Sequence, residues 1–401
     1  MDFRIDRATG EQLEAARAWG QAEVRPVGLE ADRLGRPIPV DHPYFQKMIA
    51  RGEGRTRWRP KVSEGTGDDK PASARLKRST VTSLLLAEEF AYWDRGVGVA
   101  NPGPGLPEGN VLSAGNEEQK RRFLGPFLAP DKPRWACFAM TEPGAGSDAA
   151  AIATRARRDG NEWVLDGAKC FIGNASRAAW LLIQATTDPG KGRAGQRAFF
   201  VEQGTPGLGG FKIEKKSGLK AYESTSFTLD SCRVPAENLL GGDQRQRSGG
   251  DRRQGFRAAM ATFNAGRPVI AANSVGIGRA VLDESLAFAR EHGLLSRTRV
   301  RDRLEHMQRR LRAARLLCLK AGWQADQQRD NIVEASLSKA MAAQVGQEAA
   351  TFGMELLGTV GARGDHLIEK LYRDVKAMDI VEGTGQIQRM IVARRLVGLP
   401  R

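Results

Sequence analysis

Near its C-terminus the chain reads Val381-Glu382-Gly383-Thr384-Gly385-Gln386, which puts one carboxylate in a short turn ahead of an amphipathic segment built on Ile387, Met390 and Ile391. A carboxylate so placed can present a single base at the mouth of an apolar pocket. It can equally be a surface acid favoured by the positive end of a helix dipole. Far upstream, Thr141-Glu142-Pro143-Gly144-Ala145-Gly146-Ser147-Asp148 leaves a β-like run and enters a glycine-rich turn. Glycines allow close backbone approach and Thr141 and Ser147 add hydroxyls, so the turn suits a phosphate or an aromatic cofactor ring held by backbone N–H groups. A plain Pro/Gly turn has the same composition.

The four cysteines, Cys137, Cys170, Cys232 and Cys318, are far apart and show neither zinc spacing nor a disulfide framework. The four histidines, His42, His292, His306 and His366, are not paired at ligand spacing, so no metal is expected. A net charge of +15 raises the question of a polyanionic partner. The arginines are spread along the chain without interleaved aromatic residues, which argues against nucleic acid and leaves phosphate-bearing small molecules as a sufficient reason for part of the excess. No apolar run reaches spanning length and the N-terminus lacks a leader-like apolar stretch, so a cytoplasmic protein with no membrane association is the expectation.

The elements that must position these segments fall in three blocks. Residues 1–133 read as helical, with amphipathic segments at Glu11–Val24 and Thr80–Trp93 and a capping box opening at Asn116 and Gln119. Between them, 52–78 reads as a long polar loop. Residues 134–242 carry short β-like runs at Trp135–Met140, Ile152–Arg158, Trp163–Leu165, Trp180–Ala185, Ala198–Glu202 and Ser226–Leu229, with a hairpin signal at Asp159-Gly160. Strands at this spacing predict a small barrel or sandwich. After a Gly/Gln/Arg-rich linker at 241–255, residues 255–401 are helical again, at Phe256–Arg290, Arg299–Gln327, Ile332–Leu357 and from Thr384 onward. Long amphipathic helices predict an antiparallel bundle. The fold class is α+β and multidomain.

Taken together, these segments resemble the acyl-CoA dehydrogenase family over nearly the whole chain. Thr141 to Asp148 is similar to the family's flavin loop, Cys232 to Gly241 to its barrel-closing strand and turn, Tyr372 to Arg394 to its catalytic segment, and Gly115 to Lys120 to a helix start. The resemblance implies a helical N-terminal domain, a central β-barrel, a C-terminal four-helix bundle, and FAD between barrel and bundle. It implies that Glu382 removes the α-proton of an acyl-CoA thioester, that a hydride leaves to flavin N5, and that the product is a trans-2-enoyl-CoA. The same resemblance implies that electrons then pass to an electron-transfer flavoprotein and that the chain forms a homodimer or homotetramer. Phe138, Met140, Thr141, Gly146, Ser147, Phe171, Gly173, Thr384 and Gln386 are implied flavin contacts, and Ser147, Asn264 and Arg267 are implied substrate contacts. Arg297, Glu355 and Gly358 stand where the family meets a neighbouring subunit's FAD.

Three departures from the family pattern stand out. Phe171 occupies a position where the family more often has Trp. Gly173 replaces a hydroxyl residue that donates to flavin N5, a role open to the Gly173 N–H or to Ser176. Val300-Arg301 after Arg297, and Glu355 through Gly361, differ from the stretches that reach the partner's cofactor. Two kinds of alternative remain. One is a flavin oxidase, or a desaturase of carrier-protein-bound acyl groups, on the same fold. The other is a non-catalytic basic relative that binds nucleic acid.

Overall fold

The computed structural model of the chain describes residues 5–60, 79–242 and 254–399, and for 254–264 the backbone alone. Residues 61–78 of the expected loop and 243–253 of the expected linker lie outside the described residues.

The N-terminal block holds α1 (Arg7–Trp19), α2 (Arg25–Leu34), α3 (Pro43–Ala50), α4 (Thr80–Ala100), α5 (Pro107–Ala114) and α6 (Glu117–Leu124), with one π turn, Gly20–Val24, joining the first two. The expected capping box is present at α6: Asn116 Oδ1 accepts from Gln119 N at 2.8 Å, and Gln119 Oε1 accepts from Asn116 N at 3.3 Å. The Gln119 amide also donates to Glu237 O and Leu239 O, both at 2.7 Å, which ties two of the family-like segments together. In α4, Asp94 leaves helical geometry (φ −166°, ψ 113°), so the helix kinks one residue before Arg95.

The middle block is a curled seven-stranded sheet, β1 (Ala136–Ala139), β2 (Arg155–Asp159), β3 (Glu162–Gly173), β4 (Trp180–Thr186), β5 (Gln196–Glu202), β6 (Leu208–Ile213) and β7 (Ser224–Pro235). Their order is β1-β4-β2-β3-β7-β6, with β5 also on β4. The hairpin expected at Asp159-Gly160 forms, Asp159 facing Glu162. Every residue of β4 is buried, and alternate side chains enter two different cores. Leu181 and Ile183 pack with Leu165, Phe199 and Phe227 inside the curl; Trp180 and Leu182 pack outside with Phe123, Leu124 and Phe200. Sequence reading missed β6, whose residues are half-buried or exposed, and truncated β3, which runs on through a bulge between Lys169 and Ile172.

The C-terminal block is the expected helical bundle: α7 (Gln254–Glu291), α8 (Thr298–Asp326), α9 (Ile332–Leu357), the short α10 (Thr359–Ala362), α11 (Leu367–Ile380) and α12 (Gly385–Leu396). Small residues let the helices approach closely. A Cβ on Gly276 of α7 would lie 2.1 Å from Glu88 O of α4. Glu88 itself is buried and ion-paired at 2.7 Å to both Arg279 and Arg315. Further arginines of α8 are matched by acids, Arg303 with Glu355 and Arg310 with Glu348, each at 2.8 Å, so part of the basic excess is locally neutralised.

Candidate active site

Glu382 sits in the turn between α11 and α12, and the backbone there is strained. Its φ of 55° falls in the left-handed region, where a side chain is costly, and Gly383 follows at 91°. Two local devices hold the turn. The fully buried Gln388 donates through Nε2 to Gly383 O at 3.0 Å and Glu382 O at 3.4 Å. Thr384 caps α12, its hydroxyl accepting from Ile387 N at 3.4 Å. The turn aims the carboxylate at α7, where Oε2 lies against Gly266. That oxygen is buried and has no hydrogen-bond partner among the described residues.

Burial pushes the Glu382 carboxyl up to about 7, against the pull of Arg95, Lys339 and Arg267. Lys339 is fully buried on α9 and donates to Asp379 O at 2.9 Å, and burial lowers it to about 8. Arg267, one residue past Gly266, is 6% exposed, and desolvation lowers it while Glu382 raises it. Arg95 is lowered by burial and raised by Glu382 and then Tyr222. A carboxylate without hydrogen bonds, titrating near pH 7 and ringed by cations, is the arrangement of a general base rather than of a solvated helix-end acid.

The glycine-rich turn is built on a buried ion pair. Lys169 of β3 reaches Glu142 Oε1 at 2.7 Å and Met140 O at 2.9 Å, and Thr154 N donates to Glu142 Oε1 at 3.0 Å. Burial works to raise Glu142, but Lys169 and the backbone donors leave it below its ordinary value. The turn closes by paired backbone bonds of 3.1 Å between Glu142 and Ala145. Its outer side is open: a Cβ on Gly144 or Gly146 would meet nothing within 4 Å, and Ser147 is exposed. Beside it, Phe171 is 69% exposed and held at φ 58° by the β3 bulge. A large apolar ring displayed in strained backbone needs a flat partner to cover it.

The Phe171 end of β3 is linked to the Glu382 turn through two residues, Tyr222 and Arg95. A Cβ on Gly173 would lie 3.7 Å from the Tyr222 ring and 3.9 Å from Val99 of α4, and Tyr222 in turn lies within electrostatic reach of Arg95. Ser176 cannot serve as the replacement donor raised above, because its hydroxyl donates to both oxygens of Glu223 at 2.9 Å. Phe138 and Met140 bury their side chains in the outer sheet core, which leaves their backbone for any ligand. Gln386 is exposed in the first turn of α12. Asn264 lies in α7 with its side chain outside the described residues.

Arg297, Glu355 and Gly358 are not brought to this site within one chain. Arg297 precedes α8, Glu355 is half-exposed and paired with Arg303, and Gly358 follows α9. Along α9 Glu355 is sixteen residues from Lys339, about 24 Å at 1.5 Å per residue. Sequence reading also missed Arg95, Tyr222, Lys339 and Gln388. Two had a signal: Asp94-Arg95 interrupts an apolar helix, and Lys339 stands alone in an alanine-rich one.

Among the described residues no His/Cys/Asp/Glu group can hold a metal, and no helix is long and apolar enough to cross a membrane. The residues present fit a flavin: an open glycine turn rimmed by backbone donors, an exposed aromatic on strained backbone, and space at Gly173.

Comparison with known proteins places these features in context. The family model for the acyl-CoA dehydrogenase middle domain matches residues 137–232, and that for the C-terminal domain matches 253–397. The probable acyl-CoA dehydrogenase fadE25 of Mycobacterium leprae is 32% identical over 401 residues, covering 98% of this chain and 97% of that one. Butyryl-CoA dehydrogenase from Megasphaera elsdenii superposes with a TM-score of 0.85 at 28% identity, covering 99% of this chain and all of that one. A glutaryl-coenzyme A dehydrogenase in complex with glutaryl-CoA superposes at 0.82 with 26% identity, covering 100% and 98%. FAD is the cofactor of these oxidoreductases. The chain belongs to the acyl-CoA dehydrogenase family.

Proposed function

We propose that this protein catalyses the α,β-dehydrogenation of an acyl-CoA thioester to a trans-2-enoyl-CoA, with Glu382 as the base that takes the α-proton. The observation that carries the reading is Glu382 itself: a buried oxygen without a hydrogen-bond partner, on a strained turn that only a specific role explains. The α-proton of a thioester is weakly acidic, so the base must be strong and close. Removing the carboxylate from water strengthens it, and the surrounding Arg95, Lys339 and Arg267 keep its ionised form accessible near pH 7. The Gln388 clamp and the Thr384 cap fix the turn, so no reorganisation is needed when the proton moves. The backbone of Met140 and Thr141, the Gly144–Ser147 edge and the Phe171 face would hold FAD. When bound, FAD supplies the acceptor for the β-hydrogen as hydride. Ser147, Asn264 and Arg267 are assigned to the thioester arm.

Arg297, Glu355 and Gly358, remote from Glu382 in one chain, fit contact with a neighbouring subunit's cofactor, and a homodimer or homotetramer is the assembly proposed. A related solved structure, 27% identical with a TM-score of 0.83, comes from work on the electron-transferring flavoprotein of Acidaminococcus fermentans, and an electron-transfer flavoprotein is the acceptor proposed here. Glu382→Gln should bind FAD and fold normally, yet lose anaerobic bleaching of the flavin by acyl-CoA at least 1,000-fold, on the order of removing an essential base. Bleaching at the parent rate would refute the assignment.

A further inference from the structure

Residue 173 is a glycine and offers no hydroxyl, and the hydroxyl of Ser176 is spent on Glu223. The side chain that fills the space beside Gly173 is Tyr222. Its Cε2 and Cδ2 lie 3.7 and 3.8 Å from where a Cβ on residue 173 would stand. The ring is fixed from several sides. It packs against the bundle core and against the N-terminal core. Lys216 Nζ lies 3.2 Å from the ring centroid, and the same ammonium donates to Leu219 O at 2.7 Å and to Tyr222 O.

A phenol held this firmly keeps its hydroxyl in one place, yet that hydroxyl has no hydrogen-bond partner among the described residues. Burial raises Tyr222 above its ordinary value, so the phenol stays protonated and can donate. Of the charges near it Arg95 acts most strongly. A cation on that side draws the oxygen lone pairs toward itself and leaves the O–H to point elsewhere. Phenylalanine would pack as well; the hydroxyl is what packing does not explain.

We propose that Tyr222 supplies the hydroxyl that residue 173 lacks, its O–H donating to flavin N5 across the ring edge that Gly173 leaves uncovered. This rests on the reading that the glycine-rich turn and Phe171 hold the FAD ring beside Gly173. A donor aimed at that nitrogen draws electron density from it and favours the arrival of a hydride. The two positions then work as a pair, a glycine at one and a long hydroxylated side chain at the other.

The test uses protein reconstituted with isotopically labelled FAD, free of substrate, and reads the N5 resonance of the oxidised flavin, which moves upfield when that nitrogen accepts a hydrogen bond. In Tyr222→Phe, which keeps the ring, the resonance should move downfield and bleaching by an acyl-CoA should slow about tenfold, the worth of one hydrogen bond. Adding Gly173→Ser should restore both, since a Cβ there meets the Tyr222 ring only at ordinary contact distance. An unmoved resonance in Tyr222→Phe overturns the inference and leaves the base assignment standing. Slower bleaching without a moved resonance also overturns it, since Tyr222 would then act through packing or through Arg95. A Tyr222→Phe protein that loses FAD supports the inference if Gly173→Ser returns both the flavin and the upfield resonance, and overturns it otherwise. If Phe171→Ala leaves the flavin absorbance and the N5 resonance at their parent values, the ring lies elsewhere, and the placement of FAD falls together with this inference.

Discussion

Glu382 Oε2 lies so close to Gly266 that a Cβ built on residue 266 would stand 2.0 Å from it. The base and the face of α7 are thus fitted to each other at atomic contact, and Gly266 is defined by what it leaves empty. Gly266→Ala should leave the fold and FAD content intact, since helix propensity favours alanine by about 1 kcal/mol. It should also push the carboxylate off its line and lower the rate of flavin bleaching by about a hundredfold, the scale of a 1 Å misplacement. Stopped-flow reduction at saturating thioester measures this, and an unchanged rate would mean that the carboxylate works from another position.

The protonation of Glu382 sets two pH dependences. Proton abstraction needs the ionised form, so with a carboxyl pushed up to about 7 the bleaching rate should rise about tenfold per pH unit below that value and level off above about 8. Stability runs the other way. Because the folded carboxyl titrates above its ordinary value of 4.5, the native state holds a proton that the unfolded chain has released between 4.5 and about 7. Stability is therefore fullest below 4.5 and declines as pH rises through 7. Glu382→Gln, which mimics the neutral form, should be more stable than the parent at pH 8 by up to about 3 kcal/mol and equal to it at pH 4. Urea unfolding at the two pH values decides; a destabilised Gln variant at pH 8 would contradict a carboxylate whose burial outweighs the pull of its cations.

Lys169 and Glu142 place the glycine-rich turn under the control of one buried pair. Lys169→Met should strand the Glu142 carboxylate in a nearly dry site and cost about 3–5 kcal/mol. The lost anchor for Met140 O and for the Glu142 end of the turn should also reduce FAD retention on gel filtration. Adding Glu142→Gln to Lys169→Met should recover part of the stability, because the stranded charge is gone. A double variant as unstable as the single one would assign the loss to packing rather than charge.

Much of this architecture was legible before any coordinates. The cap at Asn116, the hairpin at Asp159-Gly160 and the full extent of α9 follow from local chemistry that tertiary structure did not override. β6 escaped because a half-exposed strand lacks apolar alternation; α11 did carry a signal, with Ile368, Leu371, Val375 and Met378 at helical spacing, and it was passed over as part of the catalytic segment. Of the site, the carboxylate and the turn were visible as motifs. Arg95, Lys339 and Tyr222 were not, because such side chains acquire a role only when folding brings them to a carboxylate on another element. The hydroxyl of Ser176 looked free in sequence, and only the fold reveals its commitment to Glu223.

The bend in α4 bears on how this pocket can change. Asp94 pairs with Lys370 of α11 at 2.6 Å, Lys370 also reaches Asp374 at 2.5 Å, and Asp374 accepts from Leu219 N at 2.5 Å. One buried latch thereby fastens three distant stretches of chain into a common floor. Upstream of it the scaffold is locked, whereas one turn beyond a Cβ on Gly98 would meet only side-chain atoms, those of Phe90 and Arg95 at 3.2 to 3.4 Å, and Val99 O accepts from Asn174 Nδ2 at 2.8 Å. Chain-length preference should therefore evolve, or be engineered, from that downstream turn without disturbing the base.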